Sequence, residues 1–182
     1  RVLSEGADAG IAFDGDGDRV QCVAADGSVV DGDELLYVIA NDRLKCGKAP
    51  QGVVGTLMSN LGMEQALAAM GVALERAEVG DRYVLELMAE KGWLLGGEAS
   101  GHIICADLTT TGDGIVAALQ VVAAMARSGE ALEALKSPLH MFPQSLINVV
   151  VRDGFVLEEA ETVIAASQHV EQVLGDRGRL VL

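Results

Sequence analysis

Short apolar segments alternate with helical patterns through the middle of this chain, and the alternation limits the fold to the α/β class. Gly52–Leu57 and Val72–Ala77 are apolar runs of the length and composition typical of buried strands. The segments 59–71 and Asp81–Lys91 have helical spacing, and Gly112–Arg127 is a longer apolar helix. Strands and helices in alternation are typical of α/β domains. The sequence therefore predicts a central α/β domain.

Three aspartates follow a strand-like run near the start of the chain. Ala9–Phe13 is short and apolar, and Asp14, Asp16 and Asp18 come after it with one glycine between each pair. Carboxylates about 5 Å apart repel by on the order of 3 kcal/mol per pair at an effective dielectric constant near 20. A small divalent cation reverses that repulsion, and Mg²⁺ prefers oxygen ligands. Since α/β sheets bind ligands where strands end, the pattern predicts a Mg²⁺ site, with Arg19 beside it as a planar partner for phosphate.

Other acidic loops are alternatives to this interpretation. An EF-hand needs Gly at the sixth loop position and Glu at the twelfth, where this chain has Arg19 and Ala25. An aspartyl phosphatase of the haloacid dehalogenase class would use Asp14 as its nucleophile, but that class expects Thr where Asp18 stands. A solvated turn and a non-catalytic metal-binding domain also stay open.

Composition excludes some partners and suggests a compartment. The net charge of −14 opposes binding to nucleic acid or to an anionic membrane surface. No apolar run approaches the roughly 20 residues of a membrane span, and no leader pattern opens the chain. The three cysteines, Cys22, Cys46 and Cys105, are odd in number and widely spaced, which predicts buried, reduced thiols. We therefore expect a cytoplasmic protein, and an oligomer is possible.

A second loop carries polar side chains suited to a sugar. The run 96–102 places Glu98, Ser100 and His102 at alternating positions among glycines. Sugar hydroxyls need donors and acceptors side by side, which Glu98 and Ser100 provide. His102 can bind phosphate or move a proton near neutral pH, although a histidine at the start of a strand also commonly serves as a structural hydrogen-bonding group.

Helix starts and core positions are also predicted by the sequence. Asp31 or Asp33 is expected to cap one helix and Ser59 the next. The hydroxyls of Thr109–Gly114 are expected to cap the long apolar helix, and a helix start can also hold phosphate. Arg82 is placed to reach either solvent or an anion. The apolar side chains expected in the core are Met58, Met63, Met70, Trp93, Val121, Val122 and Met125.

Two motifs in this order resemble the α-D-phosphohexomutases: Phe13–Arg19, followed by Gly97–His102. Val79–Val84 and Thr109–Gly114 are similar to the bacterial branch of that family that acts on glucosamine phosphates. The resemblance implies an isomerase with four domains around one cleft, in which a phosphoserine donates a phosphoryl group and a bisphosphorylated intermediate turns over. The implied reaction interconverts glucosamine 6-phosphate and glucosamine 1-phosphate on the route to cell-wall precursors. Mannose or glucose phosphates are the alternative substrates.

The resemblance also assigns roles to residues. Mg²⁺ would lie between the phosphoserine and three ligands, which are Asp14, Asp16 and Asp18. Arg19 would neutralise phosphate charge. The substrate contacts would be Glu98, Ser100, His102 and Arg82. Leu108 departs from the pattern, because the glucosamine branch often has Lys there, and this weakens the assignment of the exact sugar.

Finally, the resemblance divides the chain into parts of three domains. Residues 1–27 would end the second domain and carry the metal loop, and residues 28–140 would form the third, a mixed-sheet α/β sandwich that binds sugar. Residues 141–182 would begin an α+β fourth domain with strands at Ser145–Arg152 and Gly178–Leu182 around a helix at Glu158–Leu174. No loop like Ser-His-Asn-Pro for a phosphoserine, and none like Arg-Lys-Ser-Gly-Thr-Glu-Pro for phosphate, is found in the chain. We expect both on missing domains of the same protein, so that this chain alone is inactive.

Overall fold

The computed structural model describes residues 1–182 and consists of two compact units, Arg1–Met141 and Phe142–Leu182. The first unit contains two β-sheets and six α-helices, whereas the second contains one α-helix and two turns of 3₁₀-helix. No helix in the chain has both the length and the apolar character needed to span a membrane.

The first sheet is a small antiparallel meander that follows a short helix, α1 (Val2–Glu5). Its strands, in spatial order, are β1 (Ala9–Phe13), β2 (Val20–Ala24) and β3 (Val29–Val30). The sequence Asp26-Gly27 is typical of a two-residue hairpin turn, and the structure has this turn: β2 and β3 pair antiparallel, and the Ser28 N–H donates to Asp26 Oδ1 at 2.8 Å. The loop that joins β1 to β2, residues 14–19, is called the acidic loop below. It lies at the end of the small sheet opposite the turn at Asp26.

The second sheet is mixed and forms the middle layer of an α/β sandwich. Its strands are β4 (Gly52–Thr56), β5 (Ala73–Ala77), β6 (Leu95–Gly97) and β7 (Ile103–Cys105). They lie in the order β5-β4-β6-β7, with the first three parallel and β7 antiparallel to β6. Every residue of β4 is buried, as expected of a central strand covered on both faces. The predicted mixed-sheet α/β fold is thus confirmed.

Helices cover both faces of this sheet, and the side chains divide between them with the strand period of two. Val53 and Ile103 face one core, and their neighbours Val54 and Ile104 face the other. The second core is closed by a single helix, α4 (Asp81–Lys91), which contributes Val84 and Met88. The helices of the first unit after α1 are α2 (Gly32–Lys45), α3 (Leu61–Ala69), α4 (Asp81–Lys91), α5 (Gly114–Ser128) and α6 (Leu132–Lys136).

Helix α2 begins with a capping box. Asp31 Oδ1 accepts from the Glu34 N–H at 3.0 Å, and Glu34 Oε2 accepts from the Asp31 N–H at 2.9 Å. Both of these backbone N–H groups, which have no acceptor within the helix, are therefore hydrogen-bonded. Of the two candidates that the sequence predicted, Asp31 and Asp33, Asp31 is therefore the cap of α2. The cap predicted for α3 was wrong: Asn60 caps that helix, because Ser59 Oγ is buried and accepts from the Thr56 N–H instead.

Asp33 is a buried carboxyl that links two helix starts. It is 1% exposed, and its Oδ2 accepts from the Asn60 N–H at 2.6 Å. Burial raises the pKa of Asp33 to about 6, with repulsion from Asp31 adding to the effect and Arg76 opposing it. The folded state therefore binds this proton more tightly than the unfolded state does. Its contribution to the free energy of unfolding falls as pH rises from about 4 to about 6 and is constant above that range.

We expect Asp33→Asn to remove this pH dependence. Between pH 4 and pH 7 the free energy of unfolding of the variant should gain about 2–3 kcal/mol relative to wild type, since a pKa unit corresponds to about 1.4 kcal/mol. Urea denaturation at several pH values in that range measures the difference. Asp153→Asn, which removes an exposed carboxylate, should have the same pH dependence of the free energy of unfolding as wild type. Parallel pH curves for wild type and Asp33→Asn would show that this carboxyl is not responsible.

Several core predictions were wrong. Met58 and Val122 are exposed by about two fifths, because each lies on the solvent side of its loop or helix, while Met63 and Val121 are buried as predicted. Cys46 ends α2 at the surface and is exposed, whereas the other two cysteines are buried. Met70, Trp93 and Met125 lie at the edges of the cores and are partly buried.

The second unit lacks the two predicted strands. Residues 145–152 and 178–182 have no sheet partner, and Val150 is 98% exposed. An isolated strand leaves its backbone hydrogen-bonding groups unpaired, so an apolar alternating sequence does not form one without a neighbour. The predicted helix is present as α7 (Glu161–Leu174), preceded by a 3₁₀ turn at Leu157–Glu159.

Candidate metal centre and its neighbouring loops

The structure brings the three aspartates of the β1–β2 loop together. One carboxylate oxygen from each of Asp14, Asp16 and Asp18 lies within 4.8 Å of the other two. Asp14 and Asp16 are exposed, and Asp18 is half-buried with its Oδ1 lacking any hydrogen-bond partner. Three carboxylates this close together, one of which has an oxygen without a hydrogen-bond partner, fit a divalent cation such as Mg²⁺. Although the preceding strand is apolar, its last three residues are exposed, because β1 lies at the edge of the small sheet.

Hydrogen bonds within the loop favour the ionised form of Asp14. Partial desolvation raises the pKa of Asp14, but the Arg19 N–H, which donates to Asp14 Oδ1 at 3.2 Å, is among the contacts that outweigh it and lower the pKa. The Arg19 guanidinium forms only a loose ion pair with this carboxylate, since its Nε is 3.8 Å from Asp14 Oδ2 and its side chain is 55% exposed. Arg19 is therefore available to an anion that approaches the loop.

Glu98 and Ser100 lie together on the loop between β6 and β7. Ser100 Oγ donates to Glu98 Oε2 at 3.4 Å, and the Gly80 N–H donates to Glu98 Oε1 at 2.9 Å. Gly80 directly precedes α4, so this contact ties the β6–β7 loop to the start of that helix. The proximity of Glu98 to Ser100 follows from their positions in one short loop, whereas no local sequence pattern indicates the contact with Gly80, which is 18 residues away.

His102 points to the aspartates. Its side chain is 4% exposed, and its Nδ1 is 3.1 Å from Asp18 Oδ2. The backbones of the two loops also meet, because Arg19 and His102 form an isolated antiparallel bridge and the Val20 N–H donates to the Gly101 carbonyl at 3.0 Å. The acidic loop and the Glu98 loop therefore form one continuous surface, although 84 residues separate Asp18 from His102.

The start of α5 closes the same surface. Asp113 caps this helix by accepting from the Val116 N–H at 2.9 Å, so the expectation that the threonine hydroxyls cap it was wrong. Thr109 Oγ1 instead bonds within its own loop, to the Thr111 carbonyl at 2.7 Å. The Gly114 N–H donates to the Gly17 carbonyl at 2.9 Å, and a Cβ at Gly114 would lie 2.9 Å from that same oxygen. The helix start thus supports the acidic loop directly, which local sequence patterns did not indicate.

Arg82 lies apart from these contacts. It is on the exposed first turn of α4, where its Nε donates to Glu86 Oε1 at 2.7 Å in an i, i+4 pair. An exposed pair of this kind contributes a few tenths of a kcal/mol. The structure therefore shows a solvated ion pair at Arg82, and its predicted role in substrate binding stays a prediction.

Comparison with known proteins identifies the family. Residues 31–142 match the family model described as phosphoglucomutase/phosphomannomutase, alpha/beta/alpha domain III. Among curated proteins, the chain is 57% identical over 184 aligned residues to the phosphoglucosamine mutase of Escherichia coli O81 (strain ED1a). It is equally similar to the phosphoglucosamine mutase of Shigella dysenteriae serotype 1 (strain Sd197). Each alignment covers 100% of this chain and 41% of the relative, so the chain spans about two fifths of their length.

Solved structures have the same fold. A putative phosphomannomutase from Thermus thermophilus aligns with a TM-score of 0.63 and 25% identity, over 70% of this chain and 30% of that one. Aspergillus fumigatus N-acetylphosphoglucosamine mutase, solved with GlcNAc-6P and magnesium, aligns with a TM-score of 0.71 and 19% identity, over 90% of this chain and 43% of that one. The matched family is different from the haloacid dehalogenase class of aspartyl phosphatases. This chain belongs to the phosphoglucomutase/phosphomannomutase family, the α-D-phosphohexomutases.

Proposed function

We propose that this chain supplies the metal-binding and sugar-binding parts of a phosphoglucosamine mutase, an isomerase that interconverts glucosamine 6-phosphate and glucosamine 1-phosphate. The observation that carries the proposal is the contact between the two motif loops, in which the Asp14–Asp18 cluster and the Glu98–His102 loop form one surface. Separate motifs could have separate roles. Motifs that meet in space are suited to act on one substrate.

The residues of this surface would divide the work of phosphoryl transfer, which depends on positioning and charge neutralisation more than on covalent help from the protein. Asp14, Asp16 and Asp18 would hold Mg²⁺, which supplies positive charge that stabilises the phosphoryl group in transfer. Arg19, exposed beside them, would neutralise a phosphate oxygen. Ser100 would donate to a sugar hydroxyl.

In this proposal, only one of the two carboxylate oxygens of Glu98 contacts the substrate. Its Oε1 is engaged by the Gly80 N–H, which leaves Oε2, already beside Ser100 Oγ, to accept from the substrate. A sugar with neighbouring hydroxyls could bind both groups at once, since one donates and the other accepts. This arrangement supports a hexose phosphate as the substrate class.

The choice of glucosamine phosphate rests on similarity. The curated relatives are named phosphoglucosamine mutase and are 57% identical across the whole chain. Leu108 differs from the Lys often found in that branch, and it is half-exposed at the start of the Thr109 loop. Mannose and glucose phosphates are therefore the substrates to compare. We also propose a cytoplasmic location, in keeping with a sugar phosphate as substrate.

The division into domains is part of the same proposal. Residues 1–27 would belong to a second domain, residues 28–140 to the third and residues 141–182 to a fourth. The family match over residues 31–142 supports the middle boundaries. A phosphoserine and a phosphate-binding loop would come from other segments of a longer protein, and the chain by itself would then have no mutase activity.

A segment exchange tests this function without any assumption about flanking sequence. The matching segment of the Escherichia coli phosphoglucosamine mutase is replaced by this chain, and the resulting chimera is assayed in a coupled assay with glucosamine 6-phosphate. We expect kcat within about tenfold of the parent enzyme, because the chain is 57% identical to the segment that it replaces, and no turnover by the 182-residue chain alone. Glucose and mannose phosphates should be poorer substrates. A folded chimera without mutase activity on any of the three sugars would contradict the proposal.

A further inference from the structure

The backbone of Glu98, the acceptor proposed for a sugar hydroxyl, is held by the start of α2. The Gly32 N–H donates to the Ala99 carbonyl at 3.0 Å, and an added Cβ at Gly32 would overlap the Glu98 carbonyl oxygen. That carbonyl also accepts from the Gly101 N–H at 3.0 Å. The backbone of Glu98 is therefore fixed within this chain, and only its side chain is left to be oriented.

A different helix, α4, orients the side chain of Glu98. Glu98 Oε1 accepts from the N–H of Gly80, the residue directly before α4, at 2.9 Å. The Gly80 carbonyl accepts the first backbone hydrogen bonds of the helix, from Tyr83 at 3.0 Å and Val84 at 3.2 Å. Val84 and Met88 are buried against the sheet. The sheet thus fixes α4, and α4 fixes the backbone of Gly80.

The backbone of Gly80 has a conformation that suits glycine alone. Its φ is +133° and its ψ is +138°, a region that L side chains rarely adopt. A helix start does not require such a turn, because α2, α3 and α5 begin at N-cap residues with negative φ, which are Asp31, Asn60 and Asp113. Unusual backbone conformations concentrate at functional sites. At Gly80, the conformation directs the N–H to Glu98.

We propose that Gly80 is a positioning residue for the sugar site: its N–H holds Oε1 of Glu98, so that Oε2 is presented in a fixed direction to a hydroxyl of the hexose phosphate. The inference rests on the proposed sugar-binding role of Glu98. A glutamate side chain that is ordered in advance loses less rotamer freedom when the substrate binds. Gly80 acts on the substrate through Glu98 and has no effect on the metal centre.

A double-mutant cycle in the chimera tests whether Gly80 acts through Glu98. Gly80→Ala disfavours φ of +133° and so moves the N–H away from the carboxylate. We expect it to lower kcat/KM for glucosamine 6-phosphate by about 10–100-fold, the range that corresponds to a hydrogen bond with a charged group. In a chimera that already carries Glu98→Ala there is no carboxylate to orient, so the same substitution should change kcat/KM by less than about twofold.

Gly92→Ala is the matched control. Gly92 ends the same helix with φ of +67°, and an added Cβ there would have no atom within 4 Å. The variant therefore adds a methyl group at positive φ without touching the Glu98 loop, and its kcat/KM should match that of the unsubstituted chimera. The Mg²⁺ concentration that gives half-maximal activity should be unchanged in Gly80→Ala, because the acidic loop keeps all of its contacts.

A second measurement addresses the contact without any substitution at Gly80. An amide proton that donates to a carboxylate resonates downfield, because a hydrogen bond to a charged acceptor is shorter and stronger than one to a neutral acceptor. In ¹H–¹⁵N spectra of the 182-residue chain, we expect the Gly80 amide proton to move upfield in Glu98→Gln, while that of Gly92 stays in place. An unchanged Gly80 resonance would overturn the inference even if Gly80→Ala failed to fold.

The outcomes separate this inference from the proposed function. An active chimera in which Gly80→Ala lowers kcat/KM by the same factor with and without the Glu98 carboxylate would overturn the role of Gly80 alone. A folded Gly80→Ala chimera with the activity of the Gly92→Ala control would do the same. A folded chimera that is inactive with glucosamine, glucose and mannose phosphates would overturn the proposed function and, with it, this inference.

Discussion

Asp16→Asn in the chimera is expected to lower kcat for glucosamine 6-phosphate by about 10³-fold. The substitution removes one of three carboxylates whose oxygens lie within 4.8 Å of one another, and with it much of the attraction that holds a divalent cation. A metal that neutralises phosphoryl charge contributes several kcal/mol to the transition state, and about 4 kcal/mol corresponds to about 10³-fold in rate. Steady-state kinetics over a range of Mg²⁺ concentrations measures the effect.

The loss should come from the metal and not from the fold. Asp16 is exposed, so thermal unfolding of the variant should be close to that of the unsubstituted chimera, and high Mg²⁺ should restore part of the activity. Asp8→Asn makes the same charge change at an exposed position outside the acidic loop and should retain full activity. If Asp16→Asn kept more than a tenth of kcat with an unchanged Mg²⁺ requirement, the three aspartates would not be the metal ligands.

Gly101→Ala should cause the largest loss of stability among single methyl additions at the site. Gly101 has φ of +93°, a region that L side chains rarely adopt, and an added Cβ would overlap the backbone carbonyl of Val20. Backbone strain and overpacking each cost roughly 1–3 kcal/mol, so the free energy of unfolding should fall by about 4 kcal/mol. Urea denaturation followed by the fluorescence of Trp93, the single tryptophan, measures it.

A matched glycine separates the two causes. Gly129 has φ of +71° at the end of α5, and an added Cβ there would have no atom within 4 Å. Gly129→Ala therefore reports the conformational cost alone, which we expect to be about 1 kcal/mol. Equal losses for the two variants would show that the close approach of the acidic loop to the Glu98 loop does not constrain Gly101.

Features of the fold that depend on neighbouring residues were predictable from the sequence. The hairpin around Asp26 follows from a two-residue turn between apolar runs, and the start of α2 follows from a cap with Glu34 three residues later. The aspartate cluster was predictable for the same reason, because alternate residues of one short loop cannot lie far apart. In each case the cause of the structure lies within a few residues of the chain.

Contacts between distant segments were not predictable in this way. Nothing near His102 indicates that its ring faces Asp18, and nothing near Gly114 indicates that its N–H supports the acidic loop. These contacts depend on how β2, β7 and α5 pack, which local periodicity does not specify. For residues 145–152 the local pattern predicted a strand that the structure does not contain, because no neighbouring strand is present to pair with it.

The position of a bound Mn²⁺ in crystals of the active chimera tests the central claim most directly, since this ion has a usable anomalous signal and replaces Mg²⁺ at oxygen sites. We predict a peak in the anomalous difference map in contact with one carboxylate oxygen from each of Asp14, Asp16 and Asp18, at about the 2.1 Å typical of such ligands. A Mn²⁺-activated chimera whose peak lies elsewhere, with these three carboxylates free, would contradict the account.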